Sequence, residues 1–118
     1  MRTAGAKTVS VVGGSMGGSA AADAAIEAGP NEIDRIVLLA ADPGAHPERL
    51  RGRKLLIVAR DDADGSGPRL PRLRSQWDKV PEPKELIVLD GSAHAQYLFR
   101  TGEGPRVMRE ILRFISAQ

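Results

Sequence analysis

A stretch in the first quarter of the sequence, TVSVVGGSMGGSAAA over residues 8–22, passes from β-branched residues to alanines through a serine set among glycines. This change predicts a strand, a sharp turn and a helix. Gly13, Ser15 and Gly17 form the pattern G-x-S-x-G of the nucleophile elbow, in which a strained turn exposes the serine hydroxyl at the top of a sheet. Because Gly13 and Gly17 carry no side chain, we expect both to permit a close approach of turn and helix. The free N–H groups that begin the helix would stabilise negative charge beside Ser15.

The rest of the chain alternates apolar runs with helical spacing. The predicted strands are residues 8–12, 36–40, 54–59 and 85–89. Predicted helices follow the serine turn, Pro68 and Gly104, and the last one is expected to bury a face made of Val107, Met108, Ile111, Leu112 and Ile115. The middle strands are apolar on both faces, which is typical of a parallel sheet covered by helices. The sequence therefore predicts one domain, residues 1–118, with an open parallel α/β sheet of about four strands and flanking helices.

Composition excludes several classes of function. Seventeen Lys and Arg against fifteen Asp and Glu leave a formal charge of +2, and few aromatic residues are available for base stacking, so nucleic-acid binding is not expected. The chain has no cysteine and two distant histidines, which argues against disulfides and zinc. No apolar run approaches the roughly 20 residues that span a bilayer, and no signal-type apolar core is present. We expect a cytoplasmic protein with no membrane, metal or cofactor.

Three groups of complementary chemistry follow the ends of predicted strands: Ser15, the acids within residues 61–64, and His94. A serine hydroxyl is a weak nucleophile, so it needs a base, and the base needs an acid that holds its tautomer. His94 is the expected base, whereas His46 lies on a turn before a proline and is expected to be exposed and idle. Each group alone has a structural explanation as a packing, loop or turn residue. Their order of Ser, Asp, His, each after its own strand, favours a catalytic triad at the carboxyl edge of the sheet.

Three segments resemble the carboxyl-terminal half of the α/β-hydrolase fold family: VVGGSMGG (residues 11–18), ARDD (59–62) and GSAH (91–94). They are similar to that family's nucleophile elbow, its G-x-x-D acid loop and its G-x-x-H loop, in the family's chain order. Ala59 occupies the position where the acid loop often has glycine. The resemblance covers essentially the whole chain and implies a truncated α/β-hydrolase-like domain of the serine esterase or lipase type.

The resemblance also implies a role for individual residues. Ser15 corresponds to the nucleophile, His94 to the base and Asp62 to the acid. The backbone N–H of Met16, directly after the nucleophile, corresponds to an oxyanion-hole donor. Two neighbouring acids remain alternatives to Asp62: Asp61 and Asp64.

These observations predict a serine hydrolase that cleaves small carboxylic esters through a Ser-His-Asp triad and an acyl-enzyme. The apolar residues Met16, Leu98 and Phe99 indicate an uncharged acyl group. Family members carry further strands before the elbow, where a loop supplies a second oxyanion donor, and the sequence offers no candidate for it. Because the loss of one such donor lowers rates about 10²–10³-fold, weak activity is expected.

Two other functions stay open. The chain is alternatively a weak or inactive hydrolase-fold remnant that acts as a structural or interaction module. A nucleotide-binding module is the third interpretation, because GGSMGG after a strand would hold a phosphate at a helix N-terminus. In that case Ser15 occupies a glycine position of the dinucleotide fingerprint, and Asp42 lies later than the usual ribose-binding acid.

The first predicted strand also bears on assembly. In the resembled family the elbow strand lies in mid-sheet, whereas here the strand bounded by Thr8 and Val12 is predicted to be an edge. Residues 8–12 contain no proline or charge that would prevent pairing with another strand. We therefore expect a homodimer or larger homo-oligomer in which two such strands pair antiparallel near the Ser15 sites.

Overall fold

The computed structural model describes residues 10–27 and 34–116, without the side chains of Met16 and Gln96. The strands are β1 (Ser10–Gly14), β2 (Arg35–Leu39), β3 (Arg53–Ala59), β4 (Ala63–Asp64), β5 (Gly67–Pro68) and β6 (Lys84–Leu89). The helices are α1 (Ser15–Glu27), α2 (Arg69–Trp77) and α3 (Gly104–Ser116), with 3₁₀ segments at Pro47–Arg49 and Ala95–Arg100. The main sheet is parallel, in the order β1-β2-β3-β6, and β4 and β5 form a small antiparallel hairpin. The predicted α/β architecture is confirmed.

The core lies around β2 and β3, the two inner strands of the sheet. β2 is buried from Ile36 onwards, and β3 is buried from Lys54 onwards. Their continuous apolar sequences therefore correspond to strands covered on both faces. α1 packs against β1 and β2, and places its amino end at the carboxyl edge of the sheet. That edge carries all the predicted site residues.

β1 lies at one edge of the main sheet. It pairs with β2, and the described residues supply no strand on its other side. Thr8, the predicted start of this strand, lies outside the described residues. The strand continues past its predicted end at Val12 to Gly14, so the turn is sharper than the sequence indicates. Val12 is 48% exposed, as an apolar side chain on an open edge.

The close approach of α1 to the sheet depends on Gly13 and Gly18. A Cβ on Gly13 would lie 2.8 Å from the Cα of Gly18, and a Cβ on Gly18 would lie 2.5 Å from the Cβ of Ala41. A Cβ on Gly17 would meet no atom of the described chain within 4 Å. The prediction that Gly17 permits the close approach is therefore wrong. The orientation of α1 turns Gly18 towards β1 and leaves Gly17 on the exposed side.

α3 buries a narrower face than the sequence predicts. Val107, Ile111 and Phe114 are buried, at a spacing of three to four residues that matches one side of a helix. Met108 and Leu112, expected on the same face, are 46% and 51% exposed. The prediction that Met108 and Leu112 are buried is wrong, because the buried side of α3 is limited to the face that carries Val107, Ile111 and Phe114. Within the described ranges, neither α3 nor another helix is long and apolar enough to cross a membrane.

Candidate active site

Ser15 stands at the junction of β1 and α1 in a strained backbone conformation. Its φ is 51°, in the left-handed region that costs a non-glycine residue roughly 1–2 kcal/mol. Ala40 and Ala95 share this feature, each with a φ of 53°, and these three are the non-glycine residues with positive φ in the described part of the chain. Ala40 follows β2, and Ala95 follows His94. The strained positions thus cluster at the carboxyl edge of the sheet, as is common at functional sites.

His94 reaches Ser15 from the loop that follows β6. Its Nε2 lies 2.9 Å from the Oγ of Ser15, and its Nδ1 lies 2.6 Å from the Oδ2 of Asp62. An ionised carboxylate is acceptor-only, so Nδ1–H donates to Asp62. In the neutral ring, Nε2 then carries the lone pair that accepts the Ser15 hydroxyl proton. The three side chains form one hydrogen-bonded row, although they are far apart in sequence.

Asp62 is the acid that contacts the His94 ring. Its side chain is 2% exposed, whereas that of His94 is 26% exposed. Asp61, the neighbouring candidate, is exposed, and its backbone N–H donates to the carbonyl of Gly91 at 2.9 Å. The turn after β3 therefore directs Asp62 inwards and Asp61 to the solvent.

Asp64 lies in a polar cluster on the β4–β5 hairpin, next to the triad candidates rather than among them. Its Oδ1 accepts hydrogen bonds from Arg72 Nη2 and from the N–H of Ser66, both at 2.8 Å. These two hydrogen bonds, that of Arg72 first, hold the pKa of Asp64 below its usual value. Its Oδ2 lies 3.3 Å from Arg69 Nη1. Among the described residues, the partners of Asp64 thus lie on the hairpin and α2, and the His94 ring is not one of them.

Arg69 is the side chain at this site that sequence reasoning missed. Its Nε donates to the Oδ1 of Asp62 at 3.0 Å, on the opposite carboxylate oxygen from His94. A signal for it exists in DADGSGPR, residues 62–69, where two glycines indicate a tight turn that brings the two ends together. The acid and the arginine at those ends are then natural partners.

A cleft of about 690 Å³ opens beside Ser15. Its apolar lining comes from Ala40, Ala41, Pro71 and Leu73, and its polar lining from Ser15, Ser19, Asp42, Arg69, Arg72, Ser75 and Gln76. Neither Leu98 nor Phe99 lines this cleft, so the uncharged acyl group that they indicate stays a prediction. Leu98 is 1% exposed, and Phe99 is directed to the surface. Leu98 therefore packs in the core rather than forming a wall of the cleft.

His46 lies outside this site, as the sequence indicates. Its side chain is 60% exposed and its Nδ1 is 3.8 Å from Glu48 Oε2. Asp42, the acid considered for nucleotide binding, accepts a hydrogen bond from Ser19 Oγ at 3.0 Å.

The chain has an α/β-hydrolase fold. Its main sheet is parallel, a serine lies at the turn after β1, and an acid and a histidine follow β3 and β6. Solved structures agree with this fold. A lipase-esterase related protein from Clostridium acetobutylicum superposes with a TM-score of 0.71 at 15% identity, over 96% of this chain. A predicted CIB-like hydrolase from Thermoplasma acidophilum gives 0.68 at 21% over 93%, and dienelactone hydrolase from Anabaena variabilis gives 0.64 at 22% over 89%.

The superposed parts make up 68%, 53% and 46% of those three proteins, so this chain spans between about half and two thirds of their length. At these identities the likeness defines the fold alone. No protein-family model matches the sequence, and no curated protein sequence is significantly similar to it.

Proposed function

We propose that this protein is a serine hydrolase of small carboxylic esters, with Ser15 as nucleophile, His94 as base and Asp62 as acid. The observation that supports this is the hydrogen-bonded row, 2.9 Å from Ser15 Oγ to His94 Nε2 and 2.6 Å from His94 Nδ1 to Asp62 Oδ2. Both separations are within the reach that proton transfer requires. The strained φ of Ser15 and its place at an open cleft add to this support.

In the proposed reaction, His94 Nε2 takes the Ser15 proton while Ser15 Oγ attacks the ester carbonyl carbon. The tetrahedral intermediate collapses when His94 returns that proton to the leaving alcohol, which leaves an acyl-enzyme. A water molecule then loses a proton to His94 and attacks the acyl carbon. His94 returns this proton to Ser15 Oγ as the carboxylic acid product leaves, which restores the Ser15 hydroxyl. Throughout, Asp62 holds the Nδ1–H tautomer and stabilises the transient imidazolium.

The negative oxygen of the tetrahedral intermediate needs hydrogen-bond donors, and we assign the backbone N–H of Met16 as one of them. Met16 is the second residue of α1, so its N–H has no acceptor within the helix. The positive end of the helix dipole adds to its effect. A single donor contributes about 2.7–4 kcal/mol to transition-state stabilisation, so a site with Met16 alone would turn over slowly.

The test uses short-chain nitrophenyl esters and a fluorophosphonate probe, whose phosphorus is attacked by an activated serine with loss of fluoride. Ser15→Ala and His94→Ala should each abolish hydrolysis and labelling, because the members of such a unit act together. Ser19→Ala is the matched control. Ser19 lines the same cleft but donates to Asp42, so this variant should keep both signals. Labelling at another residue, or labelling that survives Ser15→Ala, would contradict the proposal.

The pH dependence of hydrolysis gives a second check. Because His94 must be neutral to act as a base, the rate should rise with pH between about 5 and 8, where histidine ordinarily changes its charge. A flat profile would contradict the assigned base. A folded protein that neither hydrolyses esters nor takes up the probe would instead indicate the non-catalytic module, and binding of a nucleotide by such a protein would indicate the third interpretation.

A further inference from the structure

The carboxylate of Asp62 is bound on both oxygens by side chains that differ in charge. His94 Nδ1 lies 2.6 Å from Oδ2, and Arg69 Nε lies 3.0 Å from Oδ1. Arg69 is 26% exposed, and the Asp62 side chain is 2% exposed. The acid of the proposed triad thus has a permanent cation next to it in a largely buried site.

Backbone contacts hold Asp62 and Arg69 next to each other. β4 and β5 pair Ala63 with Pro68, so Asp62 and Arg69 face each other at the base of the hairpin. The N–H of Arg69 donates to the carbonyl of Asp62 at 2.8 Å. Arg69 also begins α2, whose Leu73 is buried in the core. The Arg69 side chain therefore starts from a position that is fixed relative to Asp62.

We propose that Arg69 is a positioning residue of this site: it is the counter-ion that keeps Asp62 ionised and His94 free to accept the Ser15 proton. This inference rests on the proposed function. A buried carboxylate is costly without a compensating charge. A guanidinium stays protonated at all working pH values, whereas an imidazole becomes a cation only by taking a proton. With Arg69 present, the carboxylate is compensated and His94 stays neutral. Without it, His94 holds a proton as the counter-ion of Asp62 and is lost as a base.

Other charged groups near the carboxyl edge of the sheet do not replace Arg69. Asp64 pairs with Arg72 at 2.8 Å through one oxygen, and its other oxygen lies 3.3 Å from Arg69 Nη1. Arg60 and Asp90, at the ends of β3 and β6, pair at 2.7 Å, and their side chains are 58% and 77% exposed. Two further acids at this edge are exposed to solvent: Asp42 and Asp61. Among the described residues around His94, Arg69 is therefore the cation that contacts the buried carboxylate of Asp62.

The kinetic test compares Arg69→Gln, Arg69→Lys and the control Arg60→Gln in full pH–rate profiles; Arg60 is an exposed cation at the same edge of the sheet and does not line the cleft. Arg69→Gln should move the midpoint upwards by at least about half a pH unit and recover much of the parent's kcat at high pH. Arg69→Lys, which keeps the charge, should bring the midpoint most of the way back to that of the parent, and Arg60→Gln should leave the midpoint unchanged. If Arg69→Gln lowers kcat equally at every pH with an unmoved midpoint, Arg69 has a structural role and the inference is overturned.

A second readout does not depend on activity. The sequence has two histidines, so NMR titration of the imidazoles reports His94 with the exposed His46 as an internal reference. In Arg69→Gln the His94 curve should move upwards while the His46 curve stays in place. An unmoved His94 curve overturns the inference even if the parent is an active esterase. A moved curve in a parent with no esterase activity and no probe labelling would uphold the electrostatic coupling while the proposed function fails.

Discussion

Gly14 and Ala95 approach so closely that a Cβ placed on Gly14 would lie 3.3 Å from the Cβ of Ala95. Gly14 directly precedes Ser15, and Ala95 directly follows His94. Ala95 is buried, so an added methyl beside it could be accommodated only by a shift of the neighbouring backbone. The 2.9 Å separation of Ser15 Oγ and His94 Nε2 thus depends on the absence of a side chain at position 14.

Gly14→Ala should therefore reduce catalysis more than stability. The added methyl would push Ala95, and His94 with it, by a fraction of an ångström, and kcat for ester hydrolysis should fall roughly tenfold. Steady-state kinetics and thermal unfolding on the same samples measure the two effects. An unchanged kcat would contradict the expected coupling of the two loops.

The adjacent glycines of α1 provide a matched pair of stability variants. Gly18→Ala should destabilise the protein, because its Cβ would lie 2.5 Å from the Cβ of Ala41 and 2.9 Å from the carbonyl oxygen of Gly13. Overpacking of this kind typically costs about 1–3 kcal/mol. Gly17→Ala should instead stabilise by about 0.5–1 kcal/mol, because alanine is the better helix former at a position with room for it. Urea unfolding gives both values, and equal effects in the two variants would be inconsistent with the orientation of α1.

The acid of the proposed triad can be identified by three amide substitutions. Asp62→Asn should lower kcat roughly 10³–10⁴-fold, because an amide no longer enforces the His94 tautomer that serves as base. Asp61→Asn and Asp64→Asn remove a similar charge nearby without touching the His94 ring, and should keep most of the activity. Loss of activity in either control, with Asp62→Asn fully active, would reassign the acid.

Lys54 makes stability depend on pH at the alkaline end. It is 1% exposed, and its Nζ donates to the carbonyls of Pro81 at 2.8 Å and Leu50 at 3.3 Å. Burial lowers the pKa of Lys54 from its usual 10.5; the charge of Glu82 partly offsets this effect, and that of Lys84 adds to it. The unfolded chain then binds the proton more readily, so the free energy of unfolding rises with pH from the lowered pKa up to 10.5.

Lys54→Met removes this titration. The stability of the parent relative to Lys54→Met should therefore increase between neutral pH and about pH 10, as measured by urea unfolding at each pH. The exposed Lys79→Met is the control, and its difference from the parent should stay constant. A constant difference for Lys54→Met as well would refute the prediction.

Pairing of two copies along the first strand stays a prediction. It can be tested because β1 is an edge strand and its Val12 is 48% exposed. The parent should sediment at micromolar concentration above the 12.6 kDa of one chain. Val12→Lys should shift the equilibrium to the monomer, because a charge on an edge strand opposes pairing. Leu112→Lys, on the exposed side of α3, should not. A parent that is monomeric and fully active would contradict the prediction.

The sequence by itself determined the order and type of the four main-sheet strands and the three α-helices, because apolar continuity and helical spacing are local signals, but the β4–β5 hairpin is not among the predicted elements. The runs over residues 36–40 and 54–59 became β2 and β3, within a residue of their predicted bounds. The meeting of Ser15 and His94 was predicted from their positions after strands, since the carboxyl ends of parallel strands lie at one edge. The resemblance then added Asp62 as the preferred acid.

Only the tertiary structure decided which side chains meet. The orientation of α1 selected Gly18 rather than Gly17 against the sheet, because each helical residue turns the face by about 100°. The hairpin after Asp62 brought Arg69 to that carboxylate and Arg72 to Asp64. Contacts of this kind depend on how separate elements rotate and fold back on one another, which no local pattern specifies.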